Sequence, residues 1–266
     1  MKFLTYATLA HTSPLNQNLG CIRVISLTLT MCMIFFTSHP MAIAQTVHIP
    51  DPGLRAALEL IFSKEAGADI TQAEMASLKS LEAPESGIHD LTGIEFATNL
   101  NKLHLARNRI ADISPLKNLT NLTVLDLYRH DFARNRERIS DVSPLKDMTN
   151  LTTLNLRGHR ISDLFPLKNM TELTYLRLGY NREITDVSAL KDMTKLTYLD
   201  LESNQVSDVS PLKDMINLRE LDLDDNQISD ISALENLKKL IVLDISDNQI
   251  LSISVIKNFR SLRNID

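Results

Sequence analysis

The sequence predicts an α/β fold: a right-handed solenoid with a parallel β-sheet on its concave face and 3₁₀ or short helical turns on its convex face. A small helical cap covers the N-terminal end. Two observations carry this expectation. One pattern recurs seven times over residues 100–261: leucine, two residues, leucine, one residue, leucine, then Asn, an aliphatic, an Asp and a short turn. The period is also strict, because LTYLDLESNQVSDVSPLKDMIN is 22 residues long and its successors begin at Leu218 and Leu240, each 22 further on. A unit this short cannot bury its own apolar face and must stack on its neighbours. Parallel strands joined in this way coil with a right hand.

Each part of the unit has a structural reason. In the copy that starts at Leu218, Leu221 and Leu223 alternate with Glu220, Asp222 and Asp224. That is the period-two pattern of a short strand with one buried face. Leu218, Ile228, Ile231, Leu234 and Leu237 complete the apolar set that points into the coil. After each strand comes an Asn column of Asn108, Asn135, Asn181, Asn204, Asn226 and Asn248, with His159 as its exception. An Asn side chain both donates and accepts, so stacked copies can satisfy backbone groups that a tight coil hides from water. An Asp column follows at Asp112, Asp141, Asp163, Asp186, Asp208 and Asp230. We read it as turn capping rather than a metal ladder. Ser114-Pro115, Ser143-Pro144 and Ser210-Pro211 then read as an N-cap with Pro in the first helical position.

These residues, LxxLxLxxN-x-I/V-x-D-I/V-S-P/A-L-K over 100–116 and 218–234, resemble the 22-residue leucine-rich repeats of the internalin-like and protein-phosphatase-regulator type. The resemblance implies a leucine-rich repeat solenoid that binds proteins, and function carries over only as that class. It covers residues 100–266, seven repeats plus a truncated eighth, with a degenerate copy at 78–99 (LKSLEAPESGIHDLTGI) before them.

The flanks are different material. Residues 1–44 hold Lys2 and Arg23, no acidic residue, an apolar run over 24–36 and the small-x-small pattern Ala42-Ile43-Ala44. This reads as a secretory signal peptide cleaved after Ala44. The apolar run is short for a membrane span, so no span is expected in the mature chain. Both cysteines, Cys21 and Cys32, fall inside this segment, which leaves the mature domain without a thiol. Residues 45–266 carry 26 basic and 33 acidic side chains, a formal charge of −7. An acidic domain argues against nucleic acid, which requires a basic stripe. Residues 45–77 read as a helical cap. Asp51-Pro52 starts a helix through GLRAALELIF with Leu54, Ala57, Leu58 and Ile61 on one face, and Thr71 with Glu74 forms a capping box for a second. At the other end, Leu262 and Ile265 begin a repeat that stops, an edge open to weak self-association or to an assembly role.

Motifs for catalysis, cofactors or metals are missing from the pattern. GxSxG, HExxH and GxGxxG do not occur, and His48, His89, His104, His130 and His159 lack ligand spacing. The acidic residues Asp222, Asp224, Asp225, Asp244 and Asp247 lack a calcium-loop spacing. NxT sequons at Asn118, Asn121, Asn150 and Asn169 read as turn consensus. The expected chain is therefore a non-enzyme without cofactor.

Variation against the repeat is more informative. Strand positions that flank the buried leucines face the concave side, where the expected site comprises Tyr128, Arg157, Tyr175, Arg177, Tyr180, Tyr198, Asp200, Glu202, Asp222 and Asp224. Four of the five tyrosines fall here, and Tyr and Arg are the residues most enriched in binding hot spots. Arg107 and Arg129 follow the first strands and Asp225 and Asp247 the last, so the face is expected to run from basic to acidic. The second repeat bulges by seven residues in YRHDFARNRER, whose Phe132 lies among arginines as in a contact loop. The expected partner is a protein or peptide, met at the cell surface or outside the cell. Intact-mass analysis of the exported product should give a chain starting at or near Gln45; a product that retains Met1 would remove the signal-peptide reading.

Overall fold

The computed structural model describes residues 45–129 and 138–265. Two helices, α1 (Pro52–Ile61) and α2 (Gln72–Ser77), precede the strands. These are β1 (Ser80–Glu82), β2 (Lys102–His104), β3 (Val124–Asp126), β4 (Thr153–Asn155), β5 (Tyr175–Arg177), β6 (Tyr198–Asp200), β7 (Glu220–Asp222), β8 (Val242–Asp244) and β9 (Asn264–Ile265). The nine described strands form one parallel sheet in sequence order. A 3₁₀ turn follows each of β2 to β8 on the convex side, as in Ser114–Leu116 and Ser210–Leu212. This is the leucine-rich repeat solenoid that the periodicity predicts.

The leucines do what the pattern demands. Leu218, Leu221, Leu223, Ile228, Ile231, Leu234 and Leu237 are all buried, as are their counterparts in the described repeats before them; in the repeat from Leu240, Ile250 and Ile256 are partly buried and Ile253 is 61 % exposed. Met148, Met170, Met193 and Met215 fill the position that Leu119 and Leu237 occupy elsewhere. An unbranched thioether fits this irregular corner of the coil as well as leucine does.

Between repeats, the Asn column works as a ladder. Asn226 Oδ1 accepts from Val206 N–H at 2.9 Å, while its Nδ2 donates to the carbonyls of Leu201 at 2.9 Å and Leu223 at 3.0 Å. Asn108, Asn181 and Asn248 repeat the arrangement, and Asn204 differs only in taking Arg182 N–H. Asn135 lies outside the described residues. His159 substitutes by geometry. Its Nδ1 accepts from Ile139 N–H at 3.4 Å and its Nε2 donates to Leu127 C=O at 2.8 Å, reaching across the repeat as an Asn does. A backbone N–H can only donate, so Nδ1 must be bare and the ring neutral. Burial is the main reason the ring pKa is pushed down to about 4.

Two further ladders run just before the strands. Thr123, Thr152, Thr174 and Thr197 each donate a hydroxyl to a backbone carbonyl of the preceding repeat. Asn99, Asn121, Asn150 and Asn217 donate their amides likewise. Two of the four sequon asparagines, Asn121 and Asn150, are thus committed to inter-repeat bonds. Turn capping also differs in detail from the expectation. The 3₁₀ turns begin at the serine itself, and the capping group is the aspartate two residues earlier. Asp112 Oδ1 accepts from Ser114 N–H at 2.8 Å and Oδ2 from the Ser114 hydroxyl at 2.9 Å, a clamp repeated at Asp141, Asp186, Asp208 and Asp230. At Asp163 the partner is Phe165, so only the backbone bond remains.

In the cap, Asp51 Oδ1 accepts from Leu54 N–H and Oδ2 from the His89 and Asp90 N–H groups, so one carboxylate both caps α1 and ties it to the first repeat. Burial works against this charge, but those hydrogen bonds outweigh it and hold the carboxyl below its usual range. Thr71 and Glu74 form the full capping box on α2. Ile61, expected on the buried face of α1, is 42 % exposed, and Phe62 packs against the core in its place because the helix ends there.

His159 gives the fold a test. Its depressed pKa means that the unfolded chain takes up a proton first as pH falls. Stability from the neutral ring is present above about 6.5 and is lost as pH drops towards about 4. His159→Asn should melt near the parent temperature at pH 7 and lose less on acidification. Thermal melts at pH 7, 5.5 and 4 check this; equal acid losses in both proteins would contradict it.

Candidate functional site

The open face of the sheet is set by register. Tyr175 of β5 lies opposite Tyr198 of β6, Arg177 opposite Asp200, and Asp200 opposite Asp222 of β7. Neighbouring strands bring the two tyrosine rings into a stack, with centroids 4.4 Å apart and planes within 15°. Offset stacking of this kind is favourable beyond the area it buries. Burial, and then the charge of Asp200, push the Tyr198 phenol up to about 12.

Beside the stack lies an ion-pair cluster. Asp200 is fully buried, although its strand position predicts an open side chain. Its Oδ2 takes Arg157 Nη1 at 2.7 Å and Arg177 Nε at 2.9 Å, and its Oδ1 accepts from Glu202 N–H at 3.2 Å. Arg157 also holds Glu202 at 2.6 Å and lies 4.3 Å from the Tyr180 ring centroid. To reach Asp200 from the end of β4, Arg157 must cross β5, and it does so over Gly179. A Cβ at Gly179 would overlap both Asp200 Oδ1 and the Arg157 guanidinium. The missing side chain is thus a gap through which the arginine passes. Burial works against both guanidinium charges, yet their acidic partners hold both pKa values above the usual arginine value.

The central column has a local duty that the repeat pattern did not reveal. Asp126, Asn155, Asp200, Asp222 and Asp244 each accept from the N–H two residues on, which closes the turn at the strand end. The signal was present in the sequence as a run of Asp and Asn at one position, the residues that form such turns.

The structure therefore brings Arg157, Arg177, Tyr180, Asp200 and Glu202 into one cluster, with Tyr175 and Tyr198 beside it. Asp222 and Asp224 continue the face on the C-terminal side. Tyr128 stands apart on the N-terminal side, with Arg107 6.0 Å from its ring centroid. At the expected basic end, Arg107 pairs with Glu85 at 2.6 Å and Arg129 is buried. The bulge around Phe132 lies outside the described residues. Carboxylate oxygens of Asp200, Glu202 and Asp222 approach within 4.8 Å of one another, but the first two already accept from guanidinium groups. Asp222 has no cation partner among the described residues. Burial, then repulsion from Asp200, push its carboxyl up to about 7. Burial, then Asp244 and Asp247, also raise Asp224.

The two aspartates should respond to substitution with opposite signs. Asp200→Ala strands two guanidinium groups and should cost about 3 kcal/mol or more. Asp222 binds its proton more tightly in the folded than in the unfolded state, so its penalty grows as pH rises from about 4 and is complete above about 7. Asp222→Asn should raise the melting temperature at pH 8, with the gain shrinking towards pH 4. Melting curves of both variants at the two pH values provide the check.

Models of Leucine Rich repeats in two copies match residues 98–135, 171–214 and 216–265, and a single Leucine Rich repeat model matches 147–164. The structure of an internalin (inlF) from Listeria monocytogenes superposes with a TM-score of 0.78 at 34% identity, covering 85% of this chain and 66% of that one. Internalin C2 (inlC2) from the same species gives 0.77 at 35% identity, covering 84% of this chain and 98% of that one. Internalin C of Listeria monocytogenes is 36% identical over 58 residues, so the match spans 20% of its length. With the repeat, the strand register and these likenesses in agreement, the chain belongs to the internalin-like leucine-rich repeat proteins.

Proposed function

We propose that this is an exported, non-catalytic recognition protein that binds a protein or peptide partner on the concave face of its sheet. The observation that carries the proposal is the Tyr175–Tyr198 stack, half-buried and set beside a locked arginine–carboxylate cluster. Rigid aromatics at the centre of a face are what hot spots are made of, since they offer contact area at little entropic cost. Asp200 serves that face from beneath, as a positioning residue, while Arg157 and Arg177 keep fixed orientations. Steering comes from the charges around the stack.

Export is supported by the composition of residues 1–44, and a place outside the cell or on its surface goes with it. No helix among the described residues is long and apolar enough to cross a membrane. The non-catalytic reading rests on the sheet face itself. Arg157 and Arg177 are tied to the carboxylates facing them, and His159, off the face in the Asn ladder, is buried and neutral.

A partner selected from a displayed library of surface proteins provides the test. Tyr175→Ala and Tyr198→Ala should each weaken capture by about 2 kcal/mol, roughly thirtyfold. Each should cost only about 1 kcal/mol of stability, the worth of the ring pair. Lys168→Ala and Lys191→Ala on the convex side should leave capture unchanged. Equal losses from both faces, or none from the tyrosines, would remove the concave-face reading.

A further inference from the structure

The arginine charges at the middle of the sheet face are balanced within it. Arg157 and Arg177 converge on the buried Asp200, Arg157 also holds Glu202, and Arg107 holds Glu85. Beyond β6 the balance changes. Glu220 and Asp222 of β7, Asp244 of β8, and Asp224 and Asp247 just past those strands make no ion pair among the described residues. The register places Glu220 beside Tyr198, and Asp244 beside Asp222, so these carboxylates continue the surface that the tyrosine stack begins.

Three features of this surface select its occupant. First, the guanidinium charges of Arg157 and Arg177 are already balanced by Asp200 and Glu202, so little net positive charge is left on this face for an acidic partner. Second, burial and then repulsion from neighbouring carboxylates raise Asp222 and Asp224, and a cation placed among them relieves the repulsive part. Third, ammonium and guanidinium groups are the polar groups that favour aromatic rings, and the adjoining rings are Tyr175 and Tyr198. A second copy of the chain does not fit this description, since residues 45–266 carry a formal −7.

We infer that the sheet face from β5 to β8 receives a positively charged, extended segment of a partner protein. Its Lys or Arg side chains lie against the Tyr175–Tyr198 stack and between the carboxylates of β7 and β8. The inference rests on the concave-face reading and specifies the chemistry of the partner. Charge pairs at such a rim act mainly on encounter rate and partner choice, so binding must weaken with salt.

Decalysine and decaglutamate peptides, titrated into the exported chain at low ionic strength, test it directly. Decalysine should bind with a strong salt dependence and decaglutamate should not. The double variant Asp222→Asn with Asp244→Asn should weaken decalysine binding about tenfold or more. Asp192→Asn with Asp214→Asn removes the same charge from the convex side and should change it by less than about twofold. Tyr175→Ala with Tyr198→Ala should weaken it as well. Absence of binding, equal losses from the two aspartate pairs, or full competition by millimolar calcium would each overturn the inference. The selected partner separates the two claims. Capture lost in the tyrosine variant but untouched in Asp222→Asn/Asp244→Asn retains the concave-face reading and rejects the charged segment. Capture untouched by either rejects both.

Discussion

The structure depends on one constraint: backbone polar groups sealed inside the coil must find partners in the next repeat. The buried Asn ladder meets it. Each amide accepts from at least one turn N–H and donates to carbonyls at the ends of two successive strands, as Asn181 does from Ile161 to Leu156 and Leu178, so neighbouring repeats are bonded at a fixed offset. An unpaired buried backbone group costs on the order of 1–3 kcal/mol, and the ladder spares several in every repeat. Fixed offset then fixes register, and register fixes which side chains meet on the concave face. The Tyr175–Tyr198 stack follows from this, because a slip by one residue would turn both rings into the core.

His159 shows how far the constraint reaches. The ladder tolerates a different side chain provided that it presents one acceptor and one donor at the right separation, which a neutral imidazole does. The exchange makes this rung sensitive to protons. At the entry to the strands, threonine hydroxyls and a second set of asparagine amides meet the same need nearer to solvent. The Asp clamps hold the 3₁₀ turns from Ser114 to Asn236, and with so many polar groups committed to architecture, few positions remain free for recognition.

Those few positions divide by charge. At the middle of the sheet, Asp200 collects two guanidinium groups and balances their charge together with Glu202. Beyond it the carboxylates accumulate without counter-ions. An arginine that crosses a strand over a glycine gap is a rigid element, and it braces the face beside the aromatic stack. The result is a preformed surface with an aromatic centre and an acidic flank.

The fold was legible in the sequence because its determinants are local and periodic. The leucine spacing, the Asn column and the Asp column each report a repeating need, and seven copies amplify the signal. The tyrosines could also be placed on one face, since strand alternation suffices for that. The fate of the charges could not be read in the same way. Asp200 has the same strand position as the partly exposed Asp222 and Asp244, yet it is fully buried. The difference lies in Arg157, 43 residues earlier in the chain, in Arg177 on the preceding strand, and in a glycine that lets the first of them through. Contacts between different repeats have no period to betray them. The sequence by itself determined the coil, its core and the side chains that point outward; only the tertiary structure decided which of those side chains neutralise one another and which stay open to a partner, because that depends on pairwise distances between repeats that periodicity does not encode.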